Sequence, residues 1–206
     1  MKKKSILYVF VTLFCLGIEQ GCIKNQNAAP VPPLHEDQAF VTLVSQTEDL
    51  LKTIKFSIER NKWSQSVLQN ELSKLQNSTK DETVQLLGIE KLLGSEVSLK
   101  IKDYSTSLAS AWTTLRNRYN NRLTDNLQDE CIEVFKIKYS DTYKKSKDDN
   151  SGGAPNFAVD CGWRYYLCSA AATAGAILCD GACISASAGL GTPACVVLCA
   201  TLQAYA

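Results

Sequence analysis

The last 42 residues of the chain carry almost no charge, and this asymmetry constrains the fold more than any other feature of the sequence. Residues 165–206 contain one charged side chain, Asp180, whereas the other 42 of the 43 charged side chains lie in residues 1–164. The segment is rich in Ala, Gly and Ser, so it buries too little large apolar surface to fold alone without crosslinks. Six of the nine cysteines lie at or near it: Cys161, Cys168, Cys179, Cys183, Cys195 and Cys199. We therefore predict that residues 161–206 form an apolar unit held by disulfides.

The cysteine spacing predicts a helical hairpin. At about 100° per residue, Cys161, Cys168, Cys179 and Cys183 fall on one helix face, and Cys195 and Cys199 share a face of the next helix. Residues 187–193 contain glycines suited to ending one helix and a proline suited to starting another. In an antiparallel hairpin, residues equidistant from the turn lie opposite each other, and both candidate pairs are centred on residue 189. This geometry predicts the disulfides Cys183–Cys195 and Cys179–Cys199.

Cys161 and Cys168 have no partner that the spacing identifies. In a continuous helix they would lie about 10.5 Å apart, which is too far for a disulfide. Their pairing requires a non-helical entry to the hairpin or another partner, such as Cys131.

The N-terminus predicts export. Three lysines at positions 2–4 precede a largely apolar run from residue 6 to residue 18, which is too short to span a hydrocarbon core of roughly 30 Å. We therefore interpret residues 1–21 as a signal peptide. Exported cysteines meet an oxidising compartment, which favours disulfides over zinc or iron-sulfur sites.

The end of this segment resembles the signal of bacterial lipoproteins, because Gly21 directly precedes Cys22. The resemblance implies that Cys22 is lipidated and becomes the new N-terminus, although Glu19 stands where those signals usually have an aliphatic residue. The alternative is an ordinary signal cleaved nearby, with Cys22 left as a thiol. Residues 22–35 contain three prolines in a polar setting, a composition typical of a tether.

Residues 36–143 predict a helical domain, because the apolar side chains recur at three- and four-residue spacing. The predicted stripes comprise Phe40, Leu43, Val44, Leu50, Leu51, Ile54 and Ile58; Trp63, Val67, Leu68, Leu72 and Leu75; Val84, Leu86, Leu87, Ile89, Leu92 and Leu93; Leu108, Trp112, Leu115 and Tyr119; and Leu127, Cys131, Val134 and Phe135. We expect an antiparallel, coiled-coil-like bundle of about four helices. The fold class predicted for the whole chain is all-α.

Local signals predict where these helices begin and end. Thr79 and Glu82 have capping-box spacing, and Gly94-Ser95 is expected to end the helix that follows. The next helix is expected to start near Ser105 or Ser107, and Thr124 to cap the last. Residues 97–101 alternate in polarity, but helix or linker is preferred, since a lone strand leaves its backbone unpaired.

A linker is predicted between the two regions. Residues 144–160 are first charged and then rich in Gly and Pro, which is typical of exposed, protease-sensitive chain. Gly152 and Gly153 are candidate processing residues within it, with a plain flexible linker as the alternative.

The composition excludes several function classes. The formal net charge of +1 argues against nucleic-acid binding. The single histidine, His35, lies in a Pro-rich stretch and is interpreted as a surface residue, so His-dependent catalysis and His-rich metal sites are not expected. Adjacent carboxylates such as Asp129 and Glu130 point in different directions on a helix. We expect no enzyme activity, no cofactor and no metal.

The cysteine-rich end resembles halocin-like bacteriocins and related cysteine-rich antimicrobial peptides. The resemblance rests on the two Cys-x-x-x-Cys pairs in an Ala/Gly-rich setting at the C-terminus of a longer exported precursor, and it covers residues 154–206. It implies that the C-terminal unit is released and acts on competitor membranes. Gly152-Gly153 resembles the double-glycine end of bacteriocin leaders, although those leaders are short and carry no separate secretory signal.

Two hypotheses follow for the function. The first is a bacteriocin-like precursor, whose partner is a target membrane. The second is a lipid-anchored envelope protein whose helical domain or hairpin is a structural or protein-binding module. A disulfide-exchange enzyme ranks third, since the chain has no Cys-x-x-Cys motif to supply an attacking thiol of low pKa.

Overall fold

A computed structural model of the protein describes residues 31–120, 122–140, 162–186 and 192–205. The predicted signal peptide, residues 22–30 of the predicted tether with Cys22, the linker with Gly152 and Gly153, Cys161 and the hairpin turn lie outside this part. The described residues form helices without β-strands, which confirms the all-α prediction. After a 3-10 turn, Leu34–Glu36, they are α1 (Gln38–Asn61), α2 (Gln65–Ser78), α3 (Glu82–Leu93), α4 (Ser95–Tyr119), α5 (Arg122–Asp125), α6 (Leu127–Lys138), α7 (Gly162–Ala186) and α8 (Pro193–Ala204).

Helix α1 is built on the first predicted stripe, whose seven apolar residues are all buried. Asp37 caps the helix, because its side chain accepts a hydrogen bond from the Ala39 N–H at 2.9 Å. Lys62 ends it in the left-handed conformation with φ 55°. The buried side of α1 packs against α4, and this pair forms one wall of the bundle.

Helix α4 differs from its predicted extent. It starts at Ser95, directly after Gly94 (φ 95°) separates it from α3, so the predicted end of α3 is confirmed. Residues 97–101 are helical, as preferred over a strand. The predicted start near Ser105 or Ser107 is wrong, because both serines lie inside the continuous helix.

Two predicted N-caps are also wrong. Asp81, not Thr79, caps α3, since its side chain accepts hydrogen bonds from the backbone N–H groups of Thr83 and Val84. Helix α6 begins at Leu127 with Asn126 in the cap position, two residues beyond Thr124. At α3, the carboxylate of Asp81 lies next to the first turn and reaches N–H groups that Thr79, two residues earlier, does not reach.

The hairpin and the helical domain share one core. The described residues from Pro32 onward form a single compact unit. Helix α8 packs against α1, α2, α3 and α4 as well as α7, and α7 packs against α1 and α6. A helix that is apolar on all sides is stable where it is surrounded, and α8 fits this position because it carries no charged side chain.

The compact unit also begins earlier than predicted. Leu34 is buried, and the turn Leu34–Glu36 packs against α1 and α6. The predicted tether therefore ends before residue 34. The buried side chain of Leu34 packs into the core and holds this stretch against the helices, although prolines precede it.

Candidate functional site: the disulfide-linked hairpin and its docking interface

Two disulfides join α7 and α8. Cys179 and Cys199 are bonded at 1.98 Å with their Cα atoms 5.7 Å apart, and Cys183 and Cys195 are bonded at 2.03 Å with their Cα atoms 6.0 Å apart. These are the two pairs that symmetry about residue 189 predicts. Together with the helices they establish the predicted disulfide-stapled hairpin, and they indicate an oxidising environment.

The two disulfides touch each other. Cys183 Sγ lies 3.6 Å from Cys199 Sγ, and the sulfurs of Cys183, Cys195 and Cys199 lie within 4.8 Å of one another. Sulfurs this close resemble the ligand set of a thiolate metal site. Because each is bonded to another sulfur, the oxidised hairpin presents none of them as a thiolate.

Two further cysteines among the described residues are free thiols. Cys131 is buried on α6, and Cys168 is exposed on α7. Burial and the nearby Glu130 carboxylate raise the pKa of the Cys131 thiol to about 12, so it is a poor nucleophile at neutral pH. Cys131 and Cys168 are therefore not bonded to each other, which was one of the pairings that the sequence left open for Cys168.

The first polar contact between the hairpin and the helical domain is centred on Asp180. This carboxyl group is fully buried, and its Oδ2 lies 2.8 Å from the hydroxyl of Tyr104 on α4. The same hydroxyl lies 2.9 Å from Thr47 Oγ1 on α1. Burial raises the pKa of Asp180 to about 8, although the Tyr104 hydrogen bond opposes the shift. Burial and the neighbouring Asp180 charge raise the pKa of Tyr104 well above its ordinary value.

The second contact caps the start of α8. Gln85 on α3 is buried, and its Oε1 accepts a hydrogen bond from the Ala194 N–H at 3.0 Å. Its Nε2 donates to the Thr79 carbonyl at 2.8 Å. Pro193 supplies the first residue of α8 and has no N–H of its own. One side chain from the helical domain thus satisfies a backbone donor that would otherwise be buried without a partner.

The third contact lies at the other end of α8. The hydroxyl of Tyr205 donates to the backbone carbonyl of Trp63 at 2.9 Å. The indole Nε1 of Trp63 in turn donates to the Leu92 carbonyl at 2.9 Å. Both ends of α8 are therefore tied to the helical domain by hydrogen bonds of defined direction.

Small residues allow the hairpin to approach closely. A Cβ atom at Gly181 would lie 2.2 Å from Cζ2 of Trp112, and one at Gly175 would lie 2.9 Å from the side-chain amide of Gln203. The faces of the hairpin buried in the core consist mainly of small or β-branched residues: Ala170, Ala174, Ala176, Ile177, Ile184, Val196, Val197 and Ala200. These small side chains of the hairpin pack against larger side chains of the helical domain.

Within the described part of the chain, one helix is long and apolar enough to cross a membrane by length and composition. It is the part of α7 from Leu167 to Ser185, with a mean hydropathy of 1.6, and half of it is buried inside the protein. The same test is passed by core helices of soluble proteins, so the property by itself does not assign a span. Two large apolar side chains of the hairpin are exposed among its described residues, Leu178 and Leu202.

His35 is not the plain surface residue that the sequence indicated. Its backbone N–H donates to Glu130 Oε2 at 2.8 Å, and its Nδ1 lies 2.7 Å from the same oxygen. A quarter of its side chain is exposed. The pair attaches the N-terminal turn to α6, and so His35 has a structural role.

A groove of about 490 Å³ lies between the start of α6 and α7. Asn126, Asp129, Gly175 and Leu178 are among its lining residues. Its lining holds none of the site residues predicted from the sequence.

Sequence reasoning found the hairpin and missed the residues that hold it. Asp180 carried a signal, since it is the lone charge of an apolar segment, but its partner Tyr104 belonged to none of the predicted apolar stripes. Gln85 and Trp63 carried no signal for their contacts.

Comparisons with protein-family models, with curated proteins and with solved structures find no match to this chain.

Proposed function

We propose that the chain is an exported, lipid-anchored bacterial precursor whose C-terminal hairpin is a bacteriocin-like, membrane-active unit stored against the helical domain. The observation that supports this proposal best is the combination at α7 and α8. These helices are apolar and nearly uncharged, they are crosslinked to each other, and their apolar faces are buried against the rest of the protein. Release would therefore expose a preformed apolar hairpin.

The crosslinks matter for activity after release. The inner disulfide closes a loop of 12 residues in sequence separation, and closure of such a loop stabilises a fold by about 3 kcal/mol in the chain-entropy model. A hairpin cut from its helical domain would keep its two helices side by side. Cys22 would hold the uncut precursor at the envelope until processing in residues 144–160 separates the two parts.

The composition of the hairpin indicates how it would enter a membrane after release. Beyond Arg164 the chain has no cationic side chain, so attraction to anionic lipid headgroups contributes little. Insertion would depend on burial of apolar area, which contributes about 25 cal/mol for each Å² removed from water. The target is therefore a lipid bilayer, entered through its apolar interior, with no nucleic acid, metal or cofactor involved.

Cleavage in the linker tests this proposal. A recognition site for a specific protease is introduced within residues 144–160 of the otherwise unchanged, oxidised protein, and dye release from vesicles of bacterial lipid is recorded before and after cutting. We expect leakage only after cutting, and loss of leakage when the cut protein is reduced and alkylated. The matched control is the protein without the protease site, treated identically. A cut protein that is inactive on vesicles and on a broad panel of bacteria would overturn the proposal.

The position of α8 favours a second function. Because α8 packs against α1, α2, α3 and α4, its removal would open the core of the helical domain. A non-enzymatic envelope lipoprotein, in which the hairpin completes a structural or protein-binding module, uses this architecture without cleavage.

The intact mass of the native product distinguishes the two functions. It is measured in membrane and medium fractions, before and after reduction. A soluble C-terminal fragment that retains both disulfides supports the antimicrobial function. A membrane-retained full chain that starts at acylated Cys22 and copurifies with a partner supports the envelope module.

A further inference from the structure

A row of four oxygen atoms crosses the interface between the hairpin and the helical domain. Thr47 Oγ1 donates to the Leu43 carbonyl at 2.8 Å, the Tyr104 hydroxyl lies 2.9 Å from Thr47 Oγ1, and Asp180 Oδ2 lies 2.8 Å from the Tyr104 hydroxyl. The three side chains are buried. Each of the three contacts is short enough to be a full hydrogen bond.

The direction of the contact with Asp180 is defined. Tyr104 donates its hydroxyl proton to Asp180 Oδ2, and the carboxyl group accepts. The contact between Thr47 and Tyr104 can take its proton from either hydroxyl group. Asp180 accepts the Tyr104 hydrogen bond whether it is ionised or protonated on its other oxygen, so the contact positions the carboxyl group and the surroundings decide its protonation state.

The surroundings of Asp180 favour the neutral form. Its second oxygen, Oδ1, is buried and has no hydrogen-bond partner within the described part of the chain. Among the described titratable side chains of the helices packed around α7, Tyr104 on α4 bonds to Asp180. An ionised carboxylate here would be a buried charge without a cation.

Several charged groups on these helices form ion pairs with other residues. Glu48 forms ion pairs with Lys52 and Lys138, and Lys100 on α4 pairs with Asp49. Helix α8 carries no charged side chain. On α6, Glu130 bonds to His35.

We propose that Asp180 is a proton-operated latch, whose protonated carboxyl group holds the hairpin against Tyr104 and whose ionisation favours release. The latch rests on the proposed function, because it regulates how the stored hairpin separates from the helical domain. Burial raises the pKa of Asp180 to about 8 from an ordinary value of 3.8. Between these two values the docked state holds one proton more than the open state, so docking weakens as the pH rises and is strongest in acid.

Substitution of Asp180 by asparagine tests the latch in the full, oxidised chain. The amide of Asp180→Asn is neutral at every pH, and its oxygen can still accept the Tyr104 hydrogen bond. Unfolding by urea is followed by tryptophan fluorescence between pH 5 and pH 7.5. We expect the unfolding constant of the wild type, relative to that of the variant, to rise about tenfold per pH unit. Asp103→Asn, an exposed neighbour of Tyr104 on the same helix, is the matched control and keeps the wild-type dependence.

A direct measurement covers the case in which Asp180→Asn does not fold. The side-chain carboxyl carbon of Asp180 is followed by NMR in wild-type protein labelled with ¹³C at aspartate. Titration near pH 8 supports the latch, and titration in the ordinary carboxylate range overturns it. Equal pH dependence in wild type and Asp180→Asn overturns it as well. These readouts involve no membrane, so a protein that passes them but fails to permeabilise vesicles retains the latch and loses the antimicrobial function.

Discussion

The ring of Trp112 on α4 lies directly against the backbone of Gly181 on α7, where a Cβ atom would stand 2.2 Å from Cζ2. Gly181 follows Asp180, so this close contact lies beside the buried carboxyl group. The absence of a side chain at position 181 allows Tyr104 and Asp180 to meet.

Gly181→Ala tests the importance of this close approach. The added methyl group has no space against a rigid indole ring, so the helices must move apart, and we expect a loss of about 1–3 kcal/mol in the free energy of unfolding. Urea unfolding measures the effect. Ala182→Ser, at the exposed neighbouring position, is the control and should cost much less. An unchanged midpoint for Gly181→Ala would contradict the packing described here.

Gln85→Leu tests the cap on α8. The substitution keeps the size of the side chain but leaves the buried Ala194 N–H without its acceptor, which costs about 1–3 kcal/mol. Hydrogen exchange is the more specific measurement, because the Ala194 amide should exchange much faster while amides in the middle of α1 change less. Gln128→Leu, exposed on α6, is the control. Equal protection of Ala194 in both variants would show that Gln85 is dispensable.

Removal of the inner disulfide tests the crosslink. The double substitution Cys183→Ser with Cys195→Ser should lower the free energy of unfolding by about 3 kcal/mol, since it frees a loop of the unfolded chain. Cys168→Ser removes an exposed free thiol and should have little effect. Peptide mapping under non-reducing conditions identifies the pairs directly, and a Cys183–Cys199 peptide would contradict the pairing.

The free thiols should differ sharply in reactivity. We expect iodoacetamide at neutral pH to label Cys168 in the native protein and to label Cys131 only after unfolding. Cys131 is buried, and burial together with Glu130 raises its pKa to about 12, so the reactive thiolate is scarce. Mass spectrometry of the labelled peptides measures both rates. Rapid labelling of native Cys131 would show that α6 does not cover it.

Acid should destabilise the protein through Glu48. Burial opposes ionisation of this group, but hydrogen bonds from Lys138, Lys52 and Tyr139 outweigh it and hold its pKa below the ordinary value of 4.5. The ionised group therefore contributes stability above that value, and the contribution is lost as the pH falls through the lowered pKa. Glu48→Gln should be less stable than the wild type at pH 7, with a difference that shrinks toward pH 3.

The exposed Glu59→Gln on the same helix is the control for this experiment. Urea unfolding of the three proteins at several pH values provides the comparison. A difference between wild type and Glu48→Gln that does not change with pH would show that the ion pairs of Glu48 do not contribute.

Several helix boundaries could not be read from sequence because they depend on competing caps. Thr79 and Asp81 both precede α3, and the structure uses the carboxylate of Asp81 while Thr79 accepts from the Asp81 N–H. Ser105 resembles a helix start in sequence, yet the apolar side chains of Val97 and Ile101 continue the buried face of α4 before it. Burial of a longer stripe outweighs a local capping preference.

The sequence by itself determined the features that depend on local periodicity. Apolar residues at helical spacing established the helices, and the symmetric placement of Cys179, Cys183, Cys195 and Cys199 about a Gly/Pro turn established the two disulfides, because both are properties of residues close together in the chain. Only the tertiary structure decided where the hairpin resides. The contacts of Tyr104 with Asp180 and of Gln85 with Ala194 join residues far apart in sequence, whose side chains meet only once the apolar hairpin has been buried among the charged helices.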